Sequence, residues 1–334
     1  MIQPMRALCL LMLATTALAQ SAATTPAPAP TQTPASDAAQ AGDQSQEPIT
    51  TIKTVSRMVA ISAVVTSKNG EAKEGLSKED FVLKQDGKEE PIRYFSKGSD
   101  LPLSLALMVD TSASQRAFIG DETLASDVFF ETMLSGKDDR AMLVEFDTNV
   151  LQLRGMTNSA NALHLALSHL NPRAPAIGGT LLYDAVCGVA SKILARETGR
   201  KAMVILSDGG DNGSRRSLAE AIEQAQRADV QIYSILYSMY EELNANNGHP
   251  PVADPGKGAL QKLSESTGGR VFTVSRSMSL RDIYAQISQD LRLQYEIGYT
   301  PPQDTQPNSY HKLELKTRDK KLSVQARKGF FMAP

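Results

Sequence analysis

The chain has 334 residues and a formal net charge of −2, from 35 Lys and Arg against 37 Asp and Glu. That balance lacks the basic excess of a nucleic-acid binder, so no nucleic-acid partner is expected. The length suffices for one large domain beside a smaller one, and the absence of tryptophan argues against a carbohydrate-stacking site.

The N-terminus "MIQPMRALCLLMLATTALAQ" carries one charge, Arg6, then an apolar stretch from Ala7 to Leu18. With "ALA" at 17–19 it has the positive, apolar and small-residue parts of an export signal. The run is too short to span a bilayer. Residues 1–19 are therefore expected to be a cleaved signal peptide, and the mature chain to be exported, periplasmic or extracellular, with no membrane span. Cleavage would leave Cys187 as the sole cysteine, set among Ala185, Val186 and Val189 and read as a small buried hydrophobe. Residues 20–50, rich in Ala, Pro, Thr and Gln, bury too little to offset their ordering entropy and are expected to form a disordered linker.

From 51 to 100 the pattern becomes β-like. "RMVAISAVVTSKNG" is β-branched and alternating, with a turn expected at Asn69-Gly70. "DFVLKQDGKEEPIRYF" repeats it around Asp86-Gly87. The C-terminal stretch 293–334 has the same character in "LQYEIGYT", "HKLELKTR" and "LSVQARKGFF". The two ends are expected to form a small β domain flanking whatever lies between, by pairing with each other.

Between them, over 101–292, strands and helices alternate. Strands are predicted at 103–109, 141–146, 202–207, 231–236 and 270–274. Helices are predicted over "LLYDAVCGVASKIL", which has one broad apolar face, and over "SLAEAIEQAQRAD", which opens with a capping box, Ser217 and Glu220. "SLRDIYAQISQDL" spaces Leu280, Ile283, Ile287 and Leu291 as on a helix, and another helix is expected from near Ala259. Near-continuous apolar strands alternating with helices predict an α/β fold, a doubly wound and mostly parallel sheet covered on both faces. Ligands of such sheets bind beyond the carboxyl ends of the strands.

Three segments put oxygen donors at that edge. "SLALMVDTSAS" (104–114) ends an apolar strand in Asp110, with hydroxyls at Ser112 and Ser114. "MVILSDGGDN" ends another in Asp208. "AIGGTLLYDAV" places Thr180 after Gly178 and Gly179, at a helix start. Two carboxylates and three neutral hydroxyls suit a hard cation, Mg²⁺ above all, with Mn²⁺ or Ca²⁺ as substitutes. They suit Zn²⁺ poorly, as no Cys/His cluster is present.

"DTSAS", "GGT" and "SDG" in this order resemble the metal-ion-dependent adhesion site of von Willebrand factor A-type domains, over about 101–292. The whole mature chain is similar to bacterial secreted proteins of that family, whose end motifs match "GLSKEDF" (75–81), "IGYTP" (297–301) and "ARKGFF" (326–331). The resemblance implies that Asp110, Ser112, Ser114, Thr180 and Asp208 are metal ligands. It also implies a non-enzymatic adhesion module whose protein partner supplies a carboxylate to the metal. Asp211 lies outside the motif and is read as part of the loop. Two other readings stand beside this one. One is a scaffold that the metal merely stabilises. The other is an aspartic-protease-type hydrolase, since "VDTSA" is similar to that Asp-Thr-Gly/Ser motif; it lacks a matching second motif and the alternation is wrong for it. The histidines, 164, 169, 249 and 311, form no metal-type pair; His164 and His169 are expected on one helix, on different faces. The polar loop 244–258 could border the binding face.

Overall fold

The computed structural model describes residues 58–98, 101–134, 136, 138–170, 179–237 and 255–332. The predicted signal peptide, the linker, Gly178 and most of the polar loop at 244–258 lie outside the described residues.

The central sheet has six strands. They are β5 (Leu103–Asp110), β6 (Arg140–Phe146), β7 (Val150–Thr157), β8 (Arg200–Ser207), β9 (Val230–Leu236) and β10 (Val271–Thr273). Their spatial order is β10-β9-β8-β5-β6-β7. All neighbours are parallel except β6 and β7. Every residue of β5 and of β9 is buried, the mark of strands covered on both faces. Alternate side chains divide between two cores. Leu105, Leu107 and Val109 pack with α1 (Ile119–Met133), α2 (Ala160–Leu167) and the last helix, α6 (Leu280–Arg292). Ala106 and Met108 pack with α3 (Leu182–Lys192), α4 (Leu218–Arg227) and α5 (Lys257–Thr267). Burying each large aliphatic side chain contributes about 1.5–3 kcal/mol.

The predicted helices form, with capping boxes at Ser217/Glu220 on α4 and Ser279/Asp282 on α6. One strand of this sheet is not among those predicted: β7, where the alternation is short, Leu151-Gln152-Leu153-Arg154, and no side chain is fully buried. It pairs through register irregularities with β6, as an antiparallel edge. His169 lies just past the end of α2, so the two histidines do not share a helix. His164 is on it, exposed, with Nδ1 2.9 Å from Asp127 on α1.

The two ends of the described chain interleave. From the N-terminal side come β1 (Val59–Thr66), β2 (Phe81–Gln85), β3 (Lys88–Glu90) and β4 (Tyr94–Lys97). From the C-terminal side come β11 (Tyr295–Tyr299), β12 (Tyr310–Thr317), β13 (Ser323–Ala326) and β14 (Gly329–Phe331). One antiparallel sheet runs β13-β1-β11-β4 and the other β14-β12-β2-β3. They enclose a third core containing Ile61, Leu83, Ile297 and Tyr299. Phe81, Phe95 and Tyr295 pack there with ring centroids 5.4–5.8 Å apart. The Asp86-Gly87 turn forms as expected, with positive φ at both residues, the two-residue hairpin geometry. The Asn69-Gly70 turn forms without a hairpin strand after it. The following "EAKEG" is polar and makes only a bridge between Thr66 and Ala72, while β1 pairs with β11 and β13 instead. "LSVQARKGFF" is two strands, not one, because the chain crosses between the sheets at Arg327-Lys328.

Candidate metal centre

Asp110 ends β5 between the carboxyl ends of β6 and β8, and it is fully buried. Its Oδ1 accepts the Ser112 N–H at 2.9 Å and its Oδ2 accepts the Ser207 hydroxyl at 2.6 Å. The first bond folds the chain back over the strand end. It brings the Ser112 and Ser114 hydroxyls within 3.1 Å of each other, Ser112 buried and Ser114 exposed. Ser112 and Ser114 belong to the start of a short 3-10 turn that leads towards α1.

Asp208 follows Ser207 at the end of β8, half-buried, with Oδ1 accepting the Gly210 N–H at 2.9 Å. Its charge acts on Asp110. Thr180 is held from both sides of β5. Its N–H donates to Asn212 Oδ1 at 2.7 Å, in the loop after β8, and its carbonyl accepts the Asn212 N–H at 3.2 Å. The next N–H, of Leu181, donates to the Asp147 carbonyl just past β6 at 2.8 Å. The loops that flank Asp110 thus grip Thr180 and set it, buried, at the same sheet edge. Asp211 serves the loop instead. Its Oδ1 accepts the Tyr183 N–H and the Ser214 hydroxyl, which ties this segment to α3.

Burial pushes the Asp110 carboxyl from its ordinary 3.8 up to about 6, Asp208 adding to the rise while the bonds from Ser112 and Ser207 oppose it. The folded value lies above the unfolded one. From about pH 4 to 6 the folded protein keeps a proton that the unfolded chain loses, so Asp110's contribution to stability falls as pH rises through that window. In EDTA, thermal melts should therefore show a decline across it that Asp110→Asn removes.

Several neighbours escaped the sequence reading. Ser207, Asn212 and Asp147 lock the loops through bonds that no spacing announces. Glu122, in the first turn of α1, is fully buried, and neither carboxyl oxygen has a hydrogen-bond partner among the described residues. Burial, followed by the charges of Asp110 and Asp121, holds it well above the usual carboxylate range. The Thr111 hydroxyl and Gln115 amide are likewise buried and unpartnered there. At Gly209, φ is +78°, and a Cβ there would lie 2.4 Å from the Gly256 carbonyl oxygen. A Cβ on Gly256 would lie 1.9 Å from the Asp208 carbonyl oxygen. Glycine at both positions lets the residue before α5 press against the Asp208 loop.

Among the described residues no three or more His, Cys, Asp or Glu side chains converge. A cation at this edge would rely on neutral hydroxyls beside one or two carboxylates, the donor set that suits Mg²⁺. The residues present fit that ion: Asp110, Ser112, Ser114, Thr180 and Asp208 all lie on the three loops at this edge.

Residues 105–286 match the family model of the von Willebrand factor type A domain. Among solved structures, the chain is similar to a von Willebrand factor type A protein from Catenulispora acidiphila, at 12% identity, 76% of this chain, 74% of that one and a TM-score of 0.46. It is also similar to the conserved hypothetical protein BatB from Bacteroides thetaiotaomicron, at 15% identity, 56% of this chain, 98% of that one and a TM-score of 0.45. A third is the vWF domain of the type V pili tip protein Mfa5 from Porphyromonas gingivalis, at 14% identity, 57% of this chain, 94% of that one and a TM-score of 0.42. No curated protein matches. The family match spans more than half of the sequence: the chain belongs to the von Willebrand factor type A domain family.

Proposed function

We propose that this protein is an exported, non-enzymatic binding module. It holds a divalent cation, Mg²⁺ or in its place Mn²⁺ or Ca²⁺, and uses it to grip a carboxylate of a protein partner. The observation that carries this reading is Asp110: a fully buried carboxyl at the end of the central strand, followed by two hydroxyls 3.1 Å apart. Burying a carboxylate is unfavourable unless a positive charge compensates it. Ser112, Ser114 and Thr180 would add neutral oxygens, and Asp208 a second charge, directly or through water. With mostly neutral ligands such a cation remains electrophilic enough to favour an incoming carboxylate. No helix among the described residues is long and apolar enough to cross a membrane. The export half of the proposal rests on the signal-like N-terminus.

The test is calorimetric titration of Mg²⁺ and Mn²⁺ into EDTA-stripped protein, beside Asp110→Ala and Thr180→Ala. Saturable binding at one equivalent, lost in both variants while they stay folded, is the expected result. Folded wild type that binds neither ion would overturn the reading. Because the cation competes with a proton for Asp110, its affinity should fall as pH is lowered through about 6. An affinity that is flat between pH 5 and 8 would remove Asp110 from the ligand set.

One observation favours a scaffold role instead. Both Asp110 oxygens already accept hydrogen bonds, from Ser112 and Ser207, and so tie two loops together without a cation. Under that reading Asp110→Asn destabilises the fold; under the cation reading it does not.

A further inference from the structure

Phe118 precedes the first turn of α1, and Tyr237 follows the last residue of β9. Their rings stack with centroids 4.1 Å apart and planes 21° from parallel. Both residues are half-buried, so this aromatic pair keeps part of its surface at the protein exterior. Its position is fixed by the two loops that carry the candidate ligands. The Phe118 N–H donates to the Gln115 carbonyl, and the Gln115 N–H to the Ser112 carbonyl, at 2.9 and 3.1 Å. The Tyr237 N–H donates to the carbonyl of Ser207, the residue before Asp208, at 3.2 Å. The stack therefore bridges the Ser112–Ser114 loop and the Asp208 loop at the carboxyl edge of the sheet. The side chains of Ser112, Ser114, Thr180 and Asp208 on the neighbouring loops are polar.

We infer that Phe118 and Tyr237 form an apolar subsite beside the cation, and that the partner presents an Asp or Glu carboxylate next to an aromatic side chain. This deepens the proposed function and rests on its cation. The cation selects the carboxylate by charge. The ring pair selects what lies beside it, because a third ring can extend the stack in the offset or tilted geometry that aromatic groups favour. A carboxylate alone would be bound weakly and without discrimination. Pairing it with an aromatic contact gives the site a means of choosing among acidic segments.

The test uses the Mn²⁺-loaded full chain with acetate and phenylacetate as probes. The paramagnetic relaxation of each probe's protons reports binding at the metal. Phenylacetate should bind about fivefold tighter than acetate, within the range expected for one aromatic contact. In Phe118→Ala and Tyr237→Ala the ratio of phenylacetate to acetate affinity should shrink to within about twofold, whatever the change in acetate binding itself. Equal binding of the two probes by wild type overturns the subsite and leaves the cation reading intact, whether or not either variant folds. A preference that survives in both folded variants also overturns it. Failure of the wild type to bind Mn²⁺ overturns both the subsite and the function on which it rests.

Discussion

In EDTA at pH 7.5, Asp110→Asn should melt above the wild type although it no longer binds a cation. The carboxyl is fully buried, and burial raises it from 3.8 to about 6. Keeping it ionised in the folded state at neutral pH then costs on the order of 3 kcal/mol, taken as an upper bound. An asparagine removes the charge and keeps the bond from the Ser112 N–H, but its amide cannot accept the Ser207 hydroxyl, whose oxygen already accepts the Gly209 N–H. Relief of the buried charge is expected to outweigh that one lost bond under the cation reading and not under the scaffold reading. A gain of about 1–3 kcal/mol corresponds to a few degrees for a domain of this size. Two controls give the result its meaning. At pH 4, where the wild-type carboxyl is largely protonated, the advantage should disappear. In Mg²⁺ at a hundred times its dissociation constant the wild type should regain about 2.7 kcal/mol while the variant gains nothing. A variant that melts below the wild type in EDTA would favour the scaffold role for Asp110. The group most needed for binding is thus expected to be a burden on the unliganded fold, as is common at functional sites.

Gly256→Ala is expected to damage stability and cation binding together. The added methyl would meet the Asp208 carbonyl oxygen at 1.9 Å and the Gly209 carbonyl carbon at 2.6 Å. Both are backbone atoms, so no side chain can rotate away; the Asp208 loop or the start of α5 must move. Overpacking of this kind costs about 1–3 kcal/mol. Displacing a residue that supports a ligand loop lowers metal affinity about tenfold or more. Gly258→Ala is the matched control, because nothing lies within 4 Å of its Cβ position. Within α5 that change should be neutral or stabilising by about 0.5–1 kcal/mol. Thermal melts and Mn²⁺ titration of the two variants decide the matter. Equal behaviour would mean that the Gly209–Gly256 approach does not hold Asp208 in place.

Much of this architecture can be read without coordinates because it depends on local chemistry. β5, β6, β8 and β9 are near-continuous apolar runs, the pattern of strands buried on both faces. The starts of α4 and α6 are written in their capping boxes. Asp110, Ser112, Ser114, Thr180 and Asp208 stand out together: each stretch alone reads as a turn or helix cap, but three of them fall on successive elements of one alternating domain. What escaped was non-local. Of its apolar side chains β7 buries only Leu153 and Met156, and those in part, which imposes too short a period to read, and its place comes from β6. The chain after Asn69-Gly70 fails to return as a strand because β1 finds better partners more than two hundred residues away, in β11 and β13.

The sequence by itself determined the alternation of strand and helix, the faces that α3 and α6 bury, and the residue types available at the sheet's carboxyl edge; the face of α1, which buries Glu122 and exposes Leu124, it did not. Periodicity, capping and turn chemistry act over a few residues, so a linear string carries them. Only the tertiary structure decided how those residues are held. Ser207 reaches Asp110 across the β5–β8 pairing, and Asn212 and Asp147 clamp Thr180 from either side. Glu122 is buried without a hydrogen-bond partner among the described residues, and Gly256 presses against the Asp208 carbonyl. Such contacts form between loops that only the packed sheet brings together, and their energies depend on burial and on sub-ångström approach, which the order of residues does not record.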